Sequence, residues 1–306
     1  MRALALALAL SAQTAWAGRS GNARQLHHAA VEANRNTDLT MEWRVPGQGR
    51  DTVTASLETA EINADKSVKR AVQLSDLYVV MAKAARRSAQ GRERVKLTAK
   101  ATRAGVQLRV TGAPSRGAAK AALADAQAAM DAARLRWMQD HRVMEVVPGA
   151  LSYDHARIVA ERADAIAPLA AALRAGTSSK REFVARALAF TQAIPYQKGR
   201  RGADAGFQHP LALVARNKGD CDGKSALFLA LVRAELPSLP LAMVYVPGHA
   251  LVGVGLPPKP GDRTFQHRGT EYVYAEPVGP AAHPLGSPAK ANRRAGKRGV
   301  IRPVPR

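Results

Sequence analysis

One apolar segment constrains the fold more than any other part of the sequence. Residues 226–232 read Ala-Leu-Phe-Leu-Ala-Leu-Val, follow a polar, glycine-containing loop at residues 217–225, and are soon closed by Pro237. A helix that is apolar on nearly every side must be buried inside a fold and cannot lie on its surface. We therefore predict a central helix that begins at Asp220, a good N-cap residue, with other elements packed around it.

Alternation with a period of two predicts β-strands in the first half of the chain. Apolar residues alternate with polar ones at residues 53–57, and again along residues 95–110, where a turn in the middle indicates a hairpin with a basic outer face. Residues 74–87 fit either a short helix or an irregular strand. The segment 18–38 is polar, and its two adjacent histidines are interpreted as surface residues.

Helical periodicity dominates the middle of the chain. Residues 118–139, 154–175 and 180–194 each carry an apolar stripe on one helical face. The stretch Ser179–Glu182, just before the last of these helices, has the spacing of a capping box. Strands, then helices, then two further strand runs after the central helix predict an α+β fold.

These changes of pattern divide the chain into four parts. Residues 1–17 combine a basic start, an Ala/Leu run and a small-x-small motif, which predicts a signal peptide cleaved near Ala17 and export to the periplasm or the extracellular space. A smaller, basic α+β domain is expected at residues 18–150 and a second domain at residues 151–286. Residues 287–306 contain seven basic residues and no acidic one, which predicts a disordered basic tail.

The charge of the chain indicates which partners to expect. The formal net charge is +22, which produces long-range attraction to anionic partners. No aromatic-rich reading surface accompanies this charge, so a specific nucleic-acid partner is not predicted, and an anionic envelope surface is the expected charged partner. No stretch approaches the ~20 apolar residues of a membrane-spanning helix, so the chain is predicted not to be transmembrane.

The single cysteine, Cys221, lies in the motif Gly-Asp-Cys-Asp-Gly-Lys-Ser at residues 219–225. An exported chain with one thiol forms no internal disulfide, so either a use for the thiol or deep burial must account for it. Free N–H groups and the positive end of the dipole in a first helical turn lower the pKa of a thiol. Asp220 and Asp222 oppose that shift, so a cationic partner is needed. These two aspartates lack the further ligands of a metal site, and no metal is predicted.

His249 is the predicted partner of the thiol. It begins a strand run after Pro247-Gly248, and a strand can hold an imidazole rigidly against a helix terminus. An acidic group would orient the imidazole, and Glu276, at the end of the next strand run, is the first candidate. Glu271, on the same run, is the alternative.

The order of cysteine, histidine and acid on a helix and two successive strands resembles the transglutaminase-like superfamily, whose fold is broadly papain-like. The resemblance covers residues 154–284 and rests on four motifs: residues 219–225, Val246-Pro247-Gly248-His249-Ala250, Glu276-Pro277 and Ile194-Pro195-Tyr196. It implies a nucleophile helix packed on an antiparallel sheet, with Cys221 as nucleophile, His249 as base and Glu276 as orienting group. More familiar members carry aspartate at the third position. No cofactor is implied.

The resemblance implies an exported cysteine peptidase or amidase that acts on a protein or peptide substrate through a thioester. Water would complete hydrolysis and an amine would complete transamidation; bacterial members more often hydrolyse. Oxyanion donors would include the Cys221 backbone N–H, with Gln192, Tyr196 and Gln197 as side-chain candidates. The alternative is a catalytically silent transglutaminase-like domain that serves as an envelope binding or scaffolding module, which a buried, unreactive Cys221 would favour.

Overall fold

The computed structural model describes residues 21–47, 49–67, 73–91, 94–147, 150–197 and 208–306, and it is mixed α+β. The strands are β1 (Arg24–Ala33), β2 (Asn36–Val45), β3 (Gly49–Glu58), β4 (Lys96–Thr102), β5 (Gly105–Thr111), β6 (Val143–Val147), β7 (Ala150–Tyr153), β8 (Leu241–Val246), β9 (His249–Val254), β10 (Thr264–His267), β11 (Thr270–Ala275) and β12 (Val300–Pro303). The helices are α1 (Thr59–Ser67), α2 (Leu74–Ser88), α3 (Arg116–Asp140), α4 (His155–Arg174), α5 (Lys180–Ala193), α6 (Pro210–Arg216), α7 (Cys221–Glu235) and α8 (Ala295–Arg298). The predicted signal peptide at residues 1–17 lies outside the described residues. Of the helices within them, none combines the length and the apolar character needed to cross a bilayer.

The apolar segment does form the central helix. In α7 the residues from Ala226 to Val232 are fully buried, and α4, α5, α6 and β9 pack around them. Asp220 caps the helix, because its carboxylate accepts the backbone N–H of Gly223 at 2.9 Å. The predicted start of the helix is therefore confirmed. Beside α7 lies a curled antiparallel sheet with the strand order β10-β11-β9-β8-β12.

The first three strands form an antiparallel sheet that shares the core of the second half. Trp43 on β2 is buried and meets Phe190 of α5 edge to face, with ring centroids 5.6 Å apart. Arg186 of α5 holds Asp51 of β3 with two hydrogen bonds of 2.8 Å. One hydrophobic core includes residues of β2, β3, α4, α5 and α7. The predicted boundary near residue 150 therefore does not separate two cores.

A smaller core lies between α2, α3 and the β4–β5 hairpin, built mainly from alanines with Met130. The undecided segment at residues 74–87 is thus a helix, α2, since its apolar face has this core to cover. The predicted hairpin is present, and Lys96, Lys100 and Arg109 are exposed on its outer face.

The polar N-terminal segment forms strands that its composition did not indicate. Residues 24–33 form β1, an edge strand that is mostly exposed and pairs only with β2 among the described strands. Edge strands need few apolar residues, because the hydrogen bonds to the neighbouring strand hold the backbone. His27 is exposed as expected, whereas His28 is half-buried, with Nε2 3.0 Å from the carbonyl oxygen of Val214.

The prediction of a disordered tail at residues 287–306 is wrong. The segment contains a 3₁₀ turn at Lys290–Asn292, the short helix α8 and the strand β12, which pairs with β8. Val304 is buried, and its N–H donates to Leu241 O at 2.8 Å. Its composition cannot build a core of its own, but the segment needs none. It extends a sheet that is already buried, so the sheet supplies both the hydrogen bonds and the apolar contacts.

Candidate active site

Three neighbouring elements bring the three predicted site residues together. Cys221 is the first residue of α7, His249 is the first residue of β9, and Glu276 follows directly after β11, the neighbour of β9 in the sheet. Nε2 of His249 lies 3.1 Å from Oε1 of Glu276. The backbone N–H of Ala250, the residue after His249, is close enough to the sulfur of Cys221 to lower the pKa of the thiol. The thiol and the histidine–carboxylate pair therefore form a single site.

Glu276 is held as a carboxylate. Its side chain is 7% exposed; Oε1 accepts from His249 and, at 2.8 Å, from Nδ2 of Asn292, while Oε2 accepts the N–H of Ala289 at 2.7 Å. Burial alone would raise the pKa of Glu276. The hydrogen bonds from His249 and Ala289, with the charges of His283 and His249, outweigh burial and hold the pKa below its usual value.

This pairing fixes the tautomer of His249. An ionised carboxylate can only accept hydrogen bonds, so Nε2 of His249 carries a proton and donates it to Glu276. In the neutral imidazole, Nδ1 is then the atom with a free lone pair. The ring is 22% exposed, which leaves it accessible to a reacting group. His249 is thus arranged to accept a proton at Nδ1 while Glu276 stabilises the resulting imidazolium.

Cys221 is held as a protonated thiol. Its Sγ donates to Oδ1 of Asp222 at 3.4 Å, and within the described part of the chain no hydrogen bond joins it to His249. Burial, followed by the charges of Asp222 and Asp220 and the bond to Asp222, raises the pKa of Cys221 to about 12, against a smaller opposite effect of the Ala250 N–H. Burial and the charges of the two carboxylates therefore oppose the pKa lowering expected from the helix N-terminus, and the opposing effect of Asp220 and Asp222 is the one that the sequence indicates.

His249 interacts electrostatically with Asp222. Its charge lowers the pKa of Asp222, although burial and the neighbouring Asp220 leave that pKa raised overall. The site thus contains an acidic pair, Asp220 and Asp222, next to the thiol, and His249 interacts electrostatically with Asp222.

The three side-chain candidates for an oxyanion donor differ in their environment. Nε2 of Gln192 is buried and already donates to Glu276 O at 2.9 Å and to His283 O at 2.8 Å, so it has no free donor. The side-chain oxygen of Gln197 accepts from Gln208 at 3.1 Å. Tyr196 is 42% exposed, and its hydroxyl interacts electrostatically with Cys221. Tyr196 is therefore the side-chain candidate that lies beside the thiol.

The backbone around Tyr196 is tied to the loop that carries the cysteine. Gln197 N–H donates to Gly219 O at 2.9 Å, and Gly219 N–H donates to Pro195 O at 3.2 Å. The motif Ile194-Pro195-Tyr196 and the motif that begins at Gly219, which are separate in the sequence, therefore lie side by side.

The alternative acid, Glu271, lies elsewhere. It is exposed on β11 and pairs with Gln266 of β10. The carboxylate that contacts His249 is that of Glu276.

Sequence reasoning missed two polar residues that support the site. Lys224, one helical turn after Cys221, is fully buried; its Nζ donates to Ile194 O at 2.6 Å and to Gln192 O at 3.3 Å, and burial lowers its pKa to about 7. A charged residue on a helix predicted to be buried on all sides was an available signal. Asn292, which binds Glu276, gave no such signal because it lies in the segment predicted to be a tail.

Comparison with known proteins gives no relative. No protein-family model, no curated protein and no solved structure matches the chain. The function must therefore be argued from the geometry of the site itself.

Proposed function

We propose that this chain is a cysteine-dependent acyl-transfer enzyme of the transglutaminase-like type, with a papain-like arrangement, that hydrolyses a peptide or amide bond. The observation that carries the proposal is the hydrogen-bonded His249–Glu276 pair close to the thiol of Cys221. The carboxylate of this pair is buried, and the imidazole is partly exposed. Nucleophile, base and orienting acid on three rigid elements are the minimum set for covalent acyl transfer.

In the proposed reaction, Cys221 turns from Asp222 towards His249 and transfers its proton to Nδ1 as the sulfur attacks the carbonyl carbon. The tetrahedral intermediate collapses, the carbon–nitrogen bond breaks, and the imidazolium gives its proton to the leaving amine. A thioester remains on Cys221. His249 then takes a proton from water as the water oxygen attacks the thioester. The carbon–sulfur bond breaks, the acid leaves, and the imidazolium returns its proton to the sulfur of Cys221. An amine in place of water gives transamidation. Glu276 stays ionised throughout and stabilises the imidazolium.

One observation favours a second candidate, a silent envelope binding or scaffolding module. The thiol is bonded to Asp222, and its pKa of about 12 keeps it protonated at neutral pH. A module without catalysis would leave Cys221 in this state whatever ligand it met. The two candidates therefore differ in whether His249 controls the reactivity of the thiol.

Acylation by p-nitrophenyl acetate at about pH 7 tests the proposal, because the reagent reports transfer of an acyl group to sulfur. We expect a stoichiometric burst of nitrophenolate, an acetyl group on Cys221 by mass spectrometry, and a loss of about 10²–10⁴-fold in His249→Ala, the usual range for a missing general base. His27→Ala, at an exposed histidine of β1, is the matched control and should behave as the wild type.

A second variant separates the two candidates further. Asp222→Asn removes the charge and weakens the acceptor that hold the thiol protonated. It should speed acylation by about tenfold or more, since one pKa unit is a factor of ten in thiolate. Adding His249→Ala should still lower the rate in this background, because the base still takes the proton from the thiol. Equal rates with and without His249, in both backgrounds, would leave only the silent module.

A further inference from the structure

We propose that Asn292, in the C-terminal segment, is a positioning residue for the Glu276–His249 pair; this inference rests on the proposed function. The segment that contains it would then belong to the catalytic apparatus.

Three hydrogen bonds to the Glu276 carboxylate are seen among the described residues, and all three come from outside β11. Oε1 is shared between His249 Nε2 at 3.1 Å and Asn292 Nδ2 at 2.8 Å, and Oε2 takes the N–H of Ala289 at 2.7 Å. Two of the three donors therefore come from residues 289–292. Without them, a glutamate side chain with three rotatable torsions would be fixed only by the histidine that it is supposed to orient.

The fold determines the position of Asn292. Its backbone N–H donates to Ala289 O at 2.8 Å, which closes the 3₁₀ turn, and its side chain is half-buried. On the C-terminal side, Gly296 N–H donates to the hydroxyl of Tyr274 at 2.6 Å, and β12 pairs with β8. Tyr274 lies on β11, two residues before Glu276. The same strand thus holds both the acid and the anchor of the segment that binds it.

A neutral amide that donates to a carboxylate favours the ionised form. Hydrogen bonds to the charged form of a carboxyl group lower its pKa. Asn292 therefore helps to keep Glu276 charged and, through its contact with Oε1, keeps that oxygen directed at His249. A residue with only a structural role would change stability but would leave the titration of Glu276 alone.

The test measures the titration of the Glu276 carboxyl by NMR on the full chain with ¹³C-labelled glutamate, with the signal assigned from Glu276→Gln. Asn292→Ala should raise the midpoint by about one pH unit. Asn292→Asp has the same shape, replaces the donor with a carboxylate and should raise it further. Arg293→Ala, at the exposed neighbouring residue, is the control and should leave it unchanged.

The acylation rate at about pH 7 supplies the functional arm. Asn292→Ala should slow acylation about tenfold or more, as expected for a lost hydrogen bond to a charged group, and should have no further effect in a Glu276→Gln background. An unchanged midpoint and rate in Asn292→Ala and Asn292→Asp would overturn this inference alone. If His249→Ala is acylated as fast as the wild type, the proposed function is overturned, whatever the titration midpoint of Glu276.

Discussion

Replacing Lys224 by methionine should change how the stability of the protein depends on pH. Lys224 lies in the first turns of α7, its side chain is fully buried, and its Nζ donates to the carbonyl oxygens of Ile194 and Gln192. Burial lowers its pKa to about 7, whereas an unfolded chain keeps the ordinary value of 10.5. A neutral amine still has two N–H donors, so both carbonyls stay bonded after the proton is lost.

The sign of this pH dependence follows from the number of protons bound by the native and the unfolded chain. Below about pH 7 the native and unfolded chains both carry the proton on Lys224, and the native state bears the full penalty of a buried charge. Between there and the ordinary pKa, the unfolded chain holds more protons, so the free energy of unfolding rises with pH. The slope approaches about 1.4 kcal/mol per pH unit, which gives a gain of about 2 kcal/mol from about pH 6 to about pH 8.5.

Urea unfolding at these two pH values, followed by tryptophan fluorescence, measures the effect. Lys224→Met loses this titration and leaves two carbonyls unbonded, at a cost of about 1–3 kcal/mol each that does not depend on pH. The difference in unfolding free energy between wild type and variant should therefore grow by about 2 kcal/mol in favour of the wild type at the higher pH. Lys120→Met, at an exposed position of α3, is the control. A difference that is the same at both pH values would refute the argument.

Two further substitutions test the acid and the sheet beside it. Glu276→Gln keeps the shape of the side chain but removes the charge that stabilises an imidazolium at His249. Acylation of Cys221 by p-nitrophenyl acetate should therefore slow about 10–100-fold. An unchanged rate would show that the carboxylate is not needed. Gly253→Ala would place a Cβ 2.5 Å from Cζ of Phe265 and 2.9 Å from Cβ of Tyr272. These contacts are too close, so the substitution should lower the free energy of unfolding by about 1–3 kcal/mol in urea titrations. Wild-type stability would mean that β9 can move aside.

The parts of the site that the sequence predicts correctly depend on local signals. An aspartate before an apolar run predicts an N-cap, and Asp220 caps α7. A turn at Pro247-Gly248 followed by an apolar run predicts a strand, and His249 begins β9. In each case, the residues that determine the helix or strand lie within it or directly beside it in the sequence. Placement in the chain and the type of element can then be inferred without knowledge of the partners.

The state of the thiol depends on nearby charges, which the sequence shows, and on burial, which the sequence does not show. The same helix start that offers free N–H groups also contributes Asp222, and Asp222 is the group that the thiol contacts. Its effect, together with burial, exceeds that of the dipole, and the extent of burial is set by elements far away in the sequence. Composition fails in the same way for residues 287–306, since their order comes from β8 and β11.

The glutamate at the third position is better understood once these long-range contacts are known. A glutamate side chain has one more torsion than an aspartate side chain, so it needs more restraint to hold an imidazole. The structure supplies that restraint on three atoms: Asn292 and Ala289 bind the two carboxylate oxygens, and Gln192 binds the backbone carbonyl of Glu276. The carbonyl of Gln192 in turn accepts from Lys224. Helix α7 therefore carries Cys221 at its start and Lys224 one turn later. Through Gln192, Lys224 supports the backbone of Glu276, the residue that contacts His249.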